Sequence, residues 1–556
     1  MAAASGSTAD NLIGLDPASR KMTVDTIRQL RKRLLIKEQI LEFDKEEYFP
    51  EKTIRRMLGP DIGLQLIFIP EAYGGAGGGA RDCCAVTREM AKICLGVATG
   101  FFAIQLGADP LLVGGTEAQK EKWLGDIADG KALVAYAVTE PDAGSNLAAL
   151  KTTADPVFND AGQVTGYRIN GNKQFISNGG YADFVTVLAR TPEGPSFFVV
   201  EKGTKGFSPG KGEEKHGIRA SNTSPLSFDD VWVPLDNLIG GVPGKGMKQA
   251  NAVFGYTRLM VAAMALGAGE SALDIVIPYA KERIQFGSSL SEKQGYTHKL
   301  VVPHAVRLEA AAAHMEEVAL KFDSGQQDLE VEGSISKYFT TEAANKAAED
   351  AIQALGGYGY IFDYQVEKIK RDVKITCIYE GTSEIQQNII STFRWKKTRK
   401  TKGEHYLSIG AEMEKLDLSL PGAGCGAYGL AAKALNETIM CAHENGLTRK
   451  QYVMFALADM MTHVEVGASL ARKADALARA RRPEADKIRL MSRIFASETA
   501  QLVARNINTI LRGTGVLDEK TISDFMDAVS YHDLNRTCQN VINDMDDVAD
   551  ILFRRK

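Results

Sequence analysis

The sequence predicts a multidomain α+β protein in which helical regions flank one compact β region. The chain has 556 residues, 44% hydrophobic and 24% charged, an ordinary globular composition on a chain too long for a single core. Apolar residues recur at three- and four-residue spacing along most of its length, which is typical of amphipathic helices. From residue 132 to residue 240 the pattern changes to short β-rich runs separated by Gly, Asn and Pro. We therefore expect several domains, one of them built from strands.

These changes of pattern set the predicted domain boundaries. Helical periodicity begins near Val24, the first β-rich run is ALVAYAVTE, and Ala-rich helices follow Gly246. The polar stretch KKTRKTKGEH then reads as a linker to a further set of helices. We predict a flexible tail at 1–22, an N-terminal helical domain at 23–131, a β domain at 132–245, a helical domain at 246–398 and a helical extension at 399–556.

Charge and cysteine usage narrow the class of protein. The net charge of −4 gives no reason to expect a nucleic-acid partner. The seven cysteines are scattered and lack a C-x-x-C pair, so we expect reduced thiols, no metal site and a cytoplasmic location. The N-terminus lacks the basic and apolar regions of a secretory signal, and no run of 18 apolar residues predicts a spanning helix.

A glycine-rich stretch, GAGGGA at 75–80, matches a dinucleotide-binding pattern but does not predict such a site. Pro70 interrupts the link from the preceding apolar run LQLIFI, and no strand with an acidic residue follows at the usual distance. A turn joining two helices is the interpretation we adopt. GKG at 244–246 likewise fails as a phosphate-binding loop, because no Ser or Thr follows Lys245.

Five segments carry the functional interpretation together. They are AYAVTEPDAGSN (135–146), INGNKQFISNGGYAD (169–183), YAKERIQFG (279–287), IQALGGYGY (352–360) and IYEGTSEIQ (378–386). The first leaves a strand into a loop rich in hydroxyl and backbone N–H groups, which suits a ligand but is also compatible with a plain turn. In this order, the five segments resemble the acyl-CoA dehydrogenase family over about residues 24 to 398. The resemblance implies an N-terminal α-helical domain, a middle β-barrel domain and a C-terminal four-helix domain around FAD.

The resemblance assigns the chemistry to Glu380. Removing two hydrogens across a Cα–Cβ bond needs a base and a hydride acceptor, and no side chain accepts hydride, so a redox cofactor is required. In the family the glutamate of IYEGT removes the proton alpha to the thioester, and its backbone N–H polarises the thioester carbonyl. Some members place the base directly before the arginine that corresponds to Arg258, but here that residue is Thr257. The alternative is that Glu380 only initiates a helix.

The resemblance also implies contacts with FAD and with substrate. Phe175 stands where Trp is common, Ser177 where Thr is common, Glu384 where several members have Gln, and Gly255 where an acidic residue is common. The implied FAD contacts are Val138, Thr139, Ser145, Phe175, Ser177, Arg283, Phe286, Gln294, Gln353, Gly357, Thr382 and Glu384. The implied substrate contacts are Ser145, Arg258, Tyr379 and Gly381, although Arg258 could instead form an ion pair at a helix start.

The extension at 399–556 gives indications about oligomeric state and membrane contact. It resembles that of the very-long-chain branch of the family, which implies a homodimer and tilts the substrate toward long or unusual acyl groups. Its basic stretch at 469–493 can lie on an anionic membrane surface, or it can be a solvated helix face, which is commoner. The family implies an electron-transfer flavoprotein as acceptor and a place in fatty-acid β-oxidation. An acyl-CoA oxidase and a non-catalytic binding member of the same fold are the alternatives.

Overall fold

The computed structural model describes residues 12–555 and divides into two compact units. Unit 1 contains residues 12–268, 319–329 and 371–376, and unit 2 contains residues 269–318, 330–370 and 377–555. Three helices pass from one unit to the other, namely Gly246–Glu282, Val302–Asp323 and Val366–Val373.

Unit 1 begins with helices. They are α1 (Pro17–Arg33), α2 (Lys37–Lys45), α3 (Glu51–Leu58), α4 (Ala80–Ile93), α5 (Leu95–Gly114), α6 (Glu117–Gln119) and α7 (Gly125–Ala128). The predicted flexible tail at 1–22 is therefore wrong from Pro17 onward, while residues 1–11 lie outside the described residues. Asp16 caps α1 by accepting hydrogen bonds from the backbone N–H groups of Ala18 and Ser19. A capping Asp followed by Pro at the first helical position is a helix-start signal that the hydrophobic pattern alone does not contain.

The middle of unit 1 is one seven-stranded sheet. Its strands are β1 (Val134–Ala137), β2 (Thr153–Phe158), β3 (Val164–Ser177), β4 (Phe184–Thr191), β5 (Gly194–Glu201), β6 (Phe207–Pro209) and β7 (Thr223–Pro234). The order is β1-β4-β2-β3-β7-β6, with β5 paired to β4. The pairs β2–β3, β3–β7, β4–β5 and β6–β7 are antiparallel, whereas β1–β4 and β2–β4 are parallel. Alternating apolar residues of these strands form the core of the sheet.

The structure confirms the predicted β region and adds to it. Strands β1, β3, β4, β5 and β7 coincide with β-rich runs of the predicted region, but β2 and β6 were not predicted. Strand β2 contains Asp155 and Pro156 in succession, both depleted in strands, and β6 has only three residues. The apolar run LQLIFI is not a strand: Leu64–Phe68 is a 3-10 helix. The glycine-rich stretch after it leads into α4, as the turn interpretation predicts.

Unit 2 is almost entirely helical. It contains the end of α8 (Gly246–Glu282), a hairpin of β8 (Ile284–Gln285) and β9 (Ser288–Ser289), α9 (Gln294–Leu300), most of α10 (Val302–Asp323), α11 (Glu330–Leu355), the start of α12 (Val366–Val373) and α13 (Ser383–Lys400). The extension adds α14 (Glu404–Ser419), α15 (Cys425–Glu444), α16 (Gln451–Arg479), α17 (Ala485–Gly513), α18 (Glu519–Ala528), α19 (Tyr531–Arg536) and α20 (Val541–Phe553).

The predicted linker between the helical domain and the extension is mostly wrong. Helix α13 continues to Lys400, and Thr398 within it is fully buried. Only the three residues between Lys400 and Glu404 lie outside helices. The side chains of KKTRK are polar, but Lys and Arg have good helix propensity, so polarity is a poor sign of a linker here.

Buried polar contacts join the extension to the preceding helices. Arg394 of α13 donates from Nε to Glu465 of α16 at 2.7 Å and from Nη2 to Glu332 of α11 at 2.8 Å. Tyr406 of α14 donates to the same Glu465 at 3.0 Å. A buried charge without such partners costs several kcal/mol, so this network fixes which faces of the helices meet.

Six of the eight Lys and Arg residues in the basic stretch at 469–493 have acidic partners. Arg472 pairs with Glu317 and Glu412, and Lys473 pairs with Glu309 and Glu316. Further pairs are Arg479–Asp475, Arg482–Glu484, Arg489–Asp486 and Arg493–Asp544. This pairing favours the interpretation as an ordinary helix surface over that of a membrane-facing patch.

Three helices are long and apolar enough to cross a membrane by length and composition alone. They are α5, α8 and α16, and between 78% and 83% of each apolar window is buried in the fold. All seven cysteines are free thiols, and among residues 12–555 no group of three or more His, Cys, Asp or Glu could hold a metal ion.

The packing of α15 against α16 generates a test of the extension. A Cβ at Gly467 of α16 would overlap the buried ring of Tyr428, whose hydroxyl donates to the carbonyl of Ser492 in α17 at 2.9 Å. We expect Gly467→Ala to lower the free energy of unfolding by about 1–3 kcal/mol, the usual cost of overpacking. Urea unfolding followed by circular dichroism measures it.

Gly513, the exposed last residue of α17, provides the matched control. Only the tip of Thr509 approaches a Cβ there, at 4.0 Å. Gly513→Ala should be neutral or stabilise by up to about 1 kcal/mol through helix propensity. Equal effects of the two substitutions would contradict the packing described here.

Candidate active site

In unit 1, the predicted flavin contacts meet where β1 ends beside β3. The backbone N–H of Gln174 donates to the carbonyl of Thr139 at 2.9 Å, which places Phe175 next to the segment that follows β1. Val138 is buried, Thr139 and Ser177 are half-buried, and Phe175 is 63% exposed. The structure thus brings together an exposed aromatic face, two hydroxyl groups and backbone polar groups.

Phe175 owes its exposure to an irregularity in the sheet. The register of β3 against β7 shifts between Lys173 and Ile176, and Phe175 has a left-handed φ of 59°. Such bulges redirect a side chain and are common beside active sites. A left-handed backbone is strained for an aromatic residue, so the surrounding contacts must maintain it.

A buried ion pair supports this part of the sheet. Lys173 of β3 is fully buried and donates to Glu140 at 2.8 Å and to the carbonyl of Val138 at 3.1 Å. Glu140 also accepts from the backbone N–H groups of Lys151 and Thr152, at 2.6 and 3.0 Å. The pair therefore ties β3 to the loop after β1 and to the start of β2.

Burial and pairing act on both pKa values. Burial lowers the pKa of Lys173 to about 8, even though its hydrogen bond to Glu140 acts in the opposite direction. Burial alone would raise the pKa of Glu140, but the hydrogen bonds from Lys173 and Thr152 outweigh it and hold the pKa below its usual value. Both groups are therefore charged at pH 7.

The predicted substrate residues of unit 1 lie in two different environments. Ser145 is exposed, just after the tight turn in which Glu140 and Ala143 exchange backbone hydrogen bonds of 3.2 and 3.1 Å. Arg258 is 7% exposed and lies twelve residues after the first residue of α8. It is therefore not at a helix start.

Residues that follow Ser145 in the chain help to line an open cavity of about 470 Å³ in unit 1. It is lined by Leu147, Ala148, Leu150, Arg190, Thr191, Pro192, Gly194, Pro195 and Met247. The lining is mainly apolar with one guanidinium, that of Arg190, which also donates to the carbonyl of Leu150. Such a combination suits a ligand that carries both apolar and anionic groups.

In unit 2, Glu380 lies in a tight turn before α13. Glu380 and Gly381 both have left-handed backbone, with φ of 54° and 93°. Lys337 of α11 donates to the carbonyl of Gly381 at 2.6 Å, and Gln386 of α13 donates to the carbonyls of Glu380 and Gly381 at 3.0 and 3.1 Å. Lys337 and Gln386 are both fully buried, so the turn is hydrogen-bonded on its buried side.

The capping of α13 tests the alternative that Glu380 only initiates a helix. Thr382 is the N-cap, and its side chain accepts from the backbone N–H of Ile385. Glu384 is the acidic residue in the first turn and is exposed. Since Thr382 and Glu384 already fill the roles of cap and first-turn acid, Glu380 and the half-buried Tyr379 precede the helix and do not initiate it.

The remaining predicted FAD contacts lie near the C-terminal end of α11. The guanidinium of Arg283 lies 5.8 Å from the ring centroid of Tyr358, the neighbour of Gly357. Tyr296 of α9 donates to the carbonyl of Ala354, next to Gln353, at 3.1 Å. The members of this group, Arg283, Phe286, Gln294, Gln353 and Gly357, are all exposed.

These exposed contacts are far from the turn that carries Glu380 within unit 2. Phe286 is 96% exposed on the hairpin of β8 and β9. Lys337, which contacts the turn, and Gln353 are sixteen residues apart on α11, about 24 Å along a helix axis. The predicted FAD contacts of unit 2 thus form two separate groups. Thr382 and Glu384 lie beside the turn, and the exposed residues lie near the C-terminal end of α11.

Gln294 has a partner in the extension. Its amide donates to both carboxylate oxygens of Asp546 in α20, at 3.1 and 3.0 Å. His298, one turn further along α9, lies 3.3 Å from the same carboxylate. The extension therefore contacts one of the predicted FAD residues directly.

Comparison with known proteins identifies the family. Sequence models of the acyl-CoA dehydrogenase N-terminal, middle and C-terminal domains match residues 17–131, 135–231 and 244–393. The chain belongs to the acyl-CoA dehydrogenase family. The C-terminal model also matches residues 409–533, so the extension resembles the helical domain that precedes it.

Individual relatives agree with that assignment. The acyl-CoA dehydrogenase of Bacillus subtilis (strain 168) is 40% identical over 380 residues, which are 67% of this chain and 96% of that protein. The crystal structure of acyl-CoA dehydrogenase complexed with FAD from Bacillus anthracis has a TM-score of 0.84 at 25% identity and covers 99% of this chain and 97% of its own. Butyryl-CoA dehydrogenase from Megasphaera elsdenii has a TM-score of 0.63 at 35% identity, covering 68% and 98%.

The predictions of family, fold, enzyme class and cofactor are confirmed. The enzyme is an FAD-dependent oxidoreductase with the helical, sheet and helical arrangement of its family and additional C-terminal helices. The chemistry of its residues fits FAD: Phe175 offers an exposed ring face, Thr139 and Ser177 offer hydroxyls, and Arg283 offers an exposed cation for a pyrophosphate. When bound, FAD supplies the hydride acceptor that the side chains lack.

Four residues that support the site lack a strong sequence signal. Lys173, Glu140, Lys337 and Gln386 were not singled out, because Lys and Glu are rarely buried. One signal was available: Lys173 has the same strand parity as the inward-facing Tyr167 and Ile169. No comparable signal marks Lys337 on its helix.

The buried ion pair between Lys173 and Glu140 can be tested by substitution. Lys173→Met leaves the Glu140 carboxylate buried without its cation, which we expect to cost about 3–5 kcal/mol of unfolding free energy at pH 7. The folded-state pKa of Glu140 is depressed, so its contribution is present above the unfolded value of 4.5 and lost as the pH falls through the folded value. The difference between wild type and variant should therefore shrink below pH 4.5, as urea unfolding at pH 7 and at lower pH can measure.

Lys151→Met is the control, since the exposed ammonium of Lys151 pairs with exposed Asp142 at 2.7 Å. Removing such a pair should change stability by no more than about 1 kcal/mol. Similar losses in the two variants, or a Lys173→Met difference that does not depend on pH, would contradict the role given to the buried pair.

Proposed function

We propose that the enzyme removes the proton alpha to the carbonyl of an acyl-CoA thioester with Glu380 as general base, giving a trans-2-enoyl-CoA. The turn that carries Glu380 is the observation that supports this proposal most. Left-handed backbone at Glu380, next to left-handed backbone at Gly381, costs conformational free energy. Hydrogen bonds from the buried side chains of Lys337 and Gln386 maintain this conformation. Strained positions of this kind occur where a side chain must be aimed at a reacting group.

The proposed roles follow from the chemistry of each group. The Glu380 carboxylate takes the alpha proton, and its backbone N–H polarises the thioester carbonyl so that the developing enolate is stabilised. Val138, Thr139, Phe175 and Ser177 orient the flavin. Of the proposed substrate contacts, Ser145 and Arg258 belong to unit 1, where the cavity near Arg190 is available to the CoA moiety. Tyr379 and Gly381 belong to unit 2, on either side of the proposed base.

The enzyme acts as a homodimer in this proposal. The two groups of predicted FAD contacts in unit 2 are too far apart along α11 to surround one flavin ring, and the hairpin that carries Phe286 is almost fully exposed. A second copy of the chain, contributing Arg283 and Phe286 to its partner's FAD, accounts for both observations.

Flavin reduction tests the catalytic assignment. Anaerobic mixing with butyryl-, octanoyl- and palmitoyl-CoA should reduce the flavin of the wild type, with the fastest substrate giving the preferred chain length. Glu380→Gln should retain the oxidised flavin spectrum and lose roughly 10²–10⁴-fold in the rate of reduction, the usual contribution of a general base. Stopped-flow absorbance measures both.

Glu404→Gln is the matched control, because Glu404 is an exposed glutamate at the first position of α14. Its reduction rate should equal that of the wild type. If Glu380→Gln reduces its flavin as fast as Glu404→Gln, or if no acyl-CoA reduces the wild-type flavin, the assignment fails and a non-catalytic binding role takes precedence.

The electron acceptor is tested separately. We expect the substrate-reduced enzyme to be reoxidised rapidly by an electron-transfer flavoprotein and slowly by oxygen. Rapid formation of hydrogen peroxide in air, with no acceleration by the flavoprotein, would instead identify an acyl-CoA oxidase. A peroxide assay with and without the acceptor distinguishes the two.

A further inference from the structure

Asp459 of the extension joins two helices that support the catalytic turn. One oxygen of its carboxylate accepts from the hydroxyl of Tyr338 in α11 at 2.7 Å and from the amide of Gln387 in α13 at 2.8 Å. Gln387 also donates to the hydroxyl of Tyr338 at 3.0 Å. These three residues, here called the Asp459 cluster, connect α11, α13 and α16.

The Asp459 cluster is directly adjacent in sequence to the residues that hold the turn. Lys337 precedes Tyr338, and Gln386 precedes Gln387. Consecutive residues of an α-helix point about 100° apart, so each helix presents one residue to the catalytic turn and the next to the extension. A shift of either helix at the cluster must therefore move a donor of the Glu380–Gly381 turn.

The cluster depends on one shared acceptor, the carboxylate of Asp459, at a half-buried position. Burial raises the pKa of Tyr338, and the neighbouring Asp459 carboxylate raises it further, so the hydroxyl stays protonated and donates. Without Asp459, the Tyr338 hydroxyl and the Gln387 amide both lose an acceptor at a half-buried site, and each such loss costs up to about 1–3 kcal/mol unless water or a rearranged helix supplies another.

We propose that Asp459 is a positioning residue through which the extension sets the conformation of the turn that carries Glu380. The inference rests on the proposed role of Glu380 as the base. Asp459 touches neither substrate nor cofactor; it acts by keeping Lys337 and Gln386 in place. A displacement of about 1 Å in a catalytic group can lower the rate about 10²-fold, so a small helix shift is enough.

A second link between the extension and the preceding helices provides a matched control. Arg472, also on α16, pairs with Glu317 of α10 at 2.9 Å. Arg472 is thirteen residues from Asp459, about 20 Å along the helix axis. Glu317→Gln therefore removes a carboxylate acceptor between the extension and an earlier helix without touching the helices that hold the turn.

The experiment compares Asp459→Ala, Asp459→Asn, Tyr338→Phe and Glu317→Gln in the full-length, FAD-bound enzyme. The measurements are the rate of flavin reduction per bound FAD, KM, FAD content and Tm. We expect Asp459→Ala to reduce its flavin at least about 10-fold more slowly, with FAD content and KM within a few-fold of wild type. Asp459→Asn, which keeps one acceptor oxygen, should recover much of the rate, and Glu317→Gln should match the wild type.

A double-mutant cycle separates positioning from general destabilisation. Because Tyr338 acts through Asp459, Tyr338→Phe should slow reduction in the wild type and have little further effect in Asp459→Ala. If Asp459→Ala does not fold, Asp459→Asn and Tyr338→Phe carry the test, and a wild-type rate per bound FAD in both overturns the inference. The same conclusion follows if Asp459→Ala folds and either keeps the wild-type rate or loses Tm and FAD content with an unchanged rate per bound FAD.

The proposed function fails by a different result. If Glu380→Gln reduces its flavin at the wild-type rate, Glu380 is not the base, whatever the Asp459 variants show. If Glu380→Gln is inactive and the Asp459 variants are unaffected, only the inference about the extension is wrong.

Discussion

The arrangement of unit 2 depends on two consecutive residues with left-handed backbone, Glu380 and Gly381. Gly381 adopts this conformation without strain, but for Glu380 it costs about 1–3 kcal/mol that neighbouring contacts must offset. The offset comes from Lys337 and Gln386, whose donors reach the carbonyl groups of the turn. The turn therefore links α11 and α13 through hydrogen bonds from two buried side chains.

In both units a buried lysine donates to a backbone carbonyl group next to residues of the candidate site. In unit 1 a fully buried lysine, Lys173, donates to the carbonyl of Val138, and in unit 2 another, Lys337, donates to the carbonyl of Gly381. A lysine side chain is long, and its ammonium has three donors, so it can reach a backbone carbonyl from a neighbouring element. The charge makes the hydrogen bond strong, but it requires compensation, which Glu140 supplies to Lys173.

The sequence predicted the parts of the fold that rest on local pattern. Strands such as β4 and β5 were recognisable as runs of β-branched and aromatic residues, and the resemblance singled out Glu380, which lies in a strained turn. The prediction failed where polarity outweighed context, as at Thr398, which is buried in a helix that was taken for a linker. The Asp459 cluster lay beyond any local pattern, because Tyr338 and Asp459 are 121 residues apart and nothing in either neighbourhood indicates the other.

The contact between Asp459 and the helices of the turn also has a consequence for biosynthesis. A nascent chain that has reached Lys400 contains every residue of the turn, yet α16, which carries Asp459, has not been made. At roughly 5–20 residues per second, translation from Glu380 to Asp459 takes several seconds. During that interval Tyr338 and Gln387 lack their common acceptor, so helices α11 and α13 gain this contact only after α16 has emerged and packed.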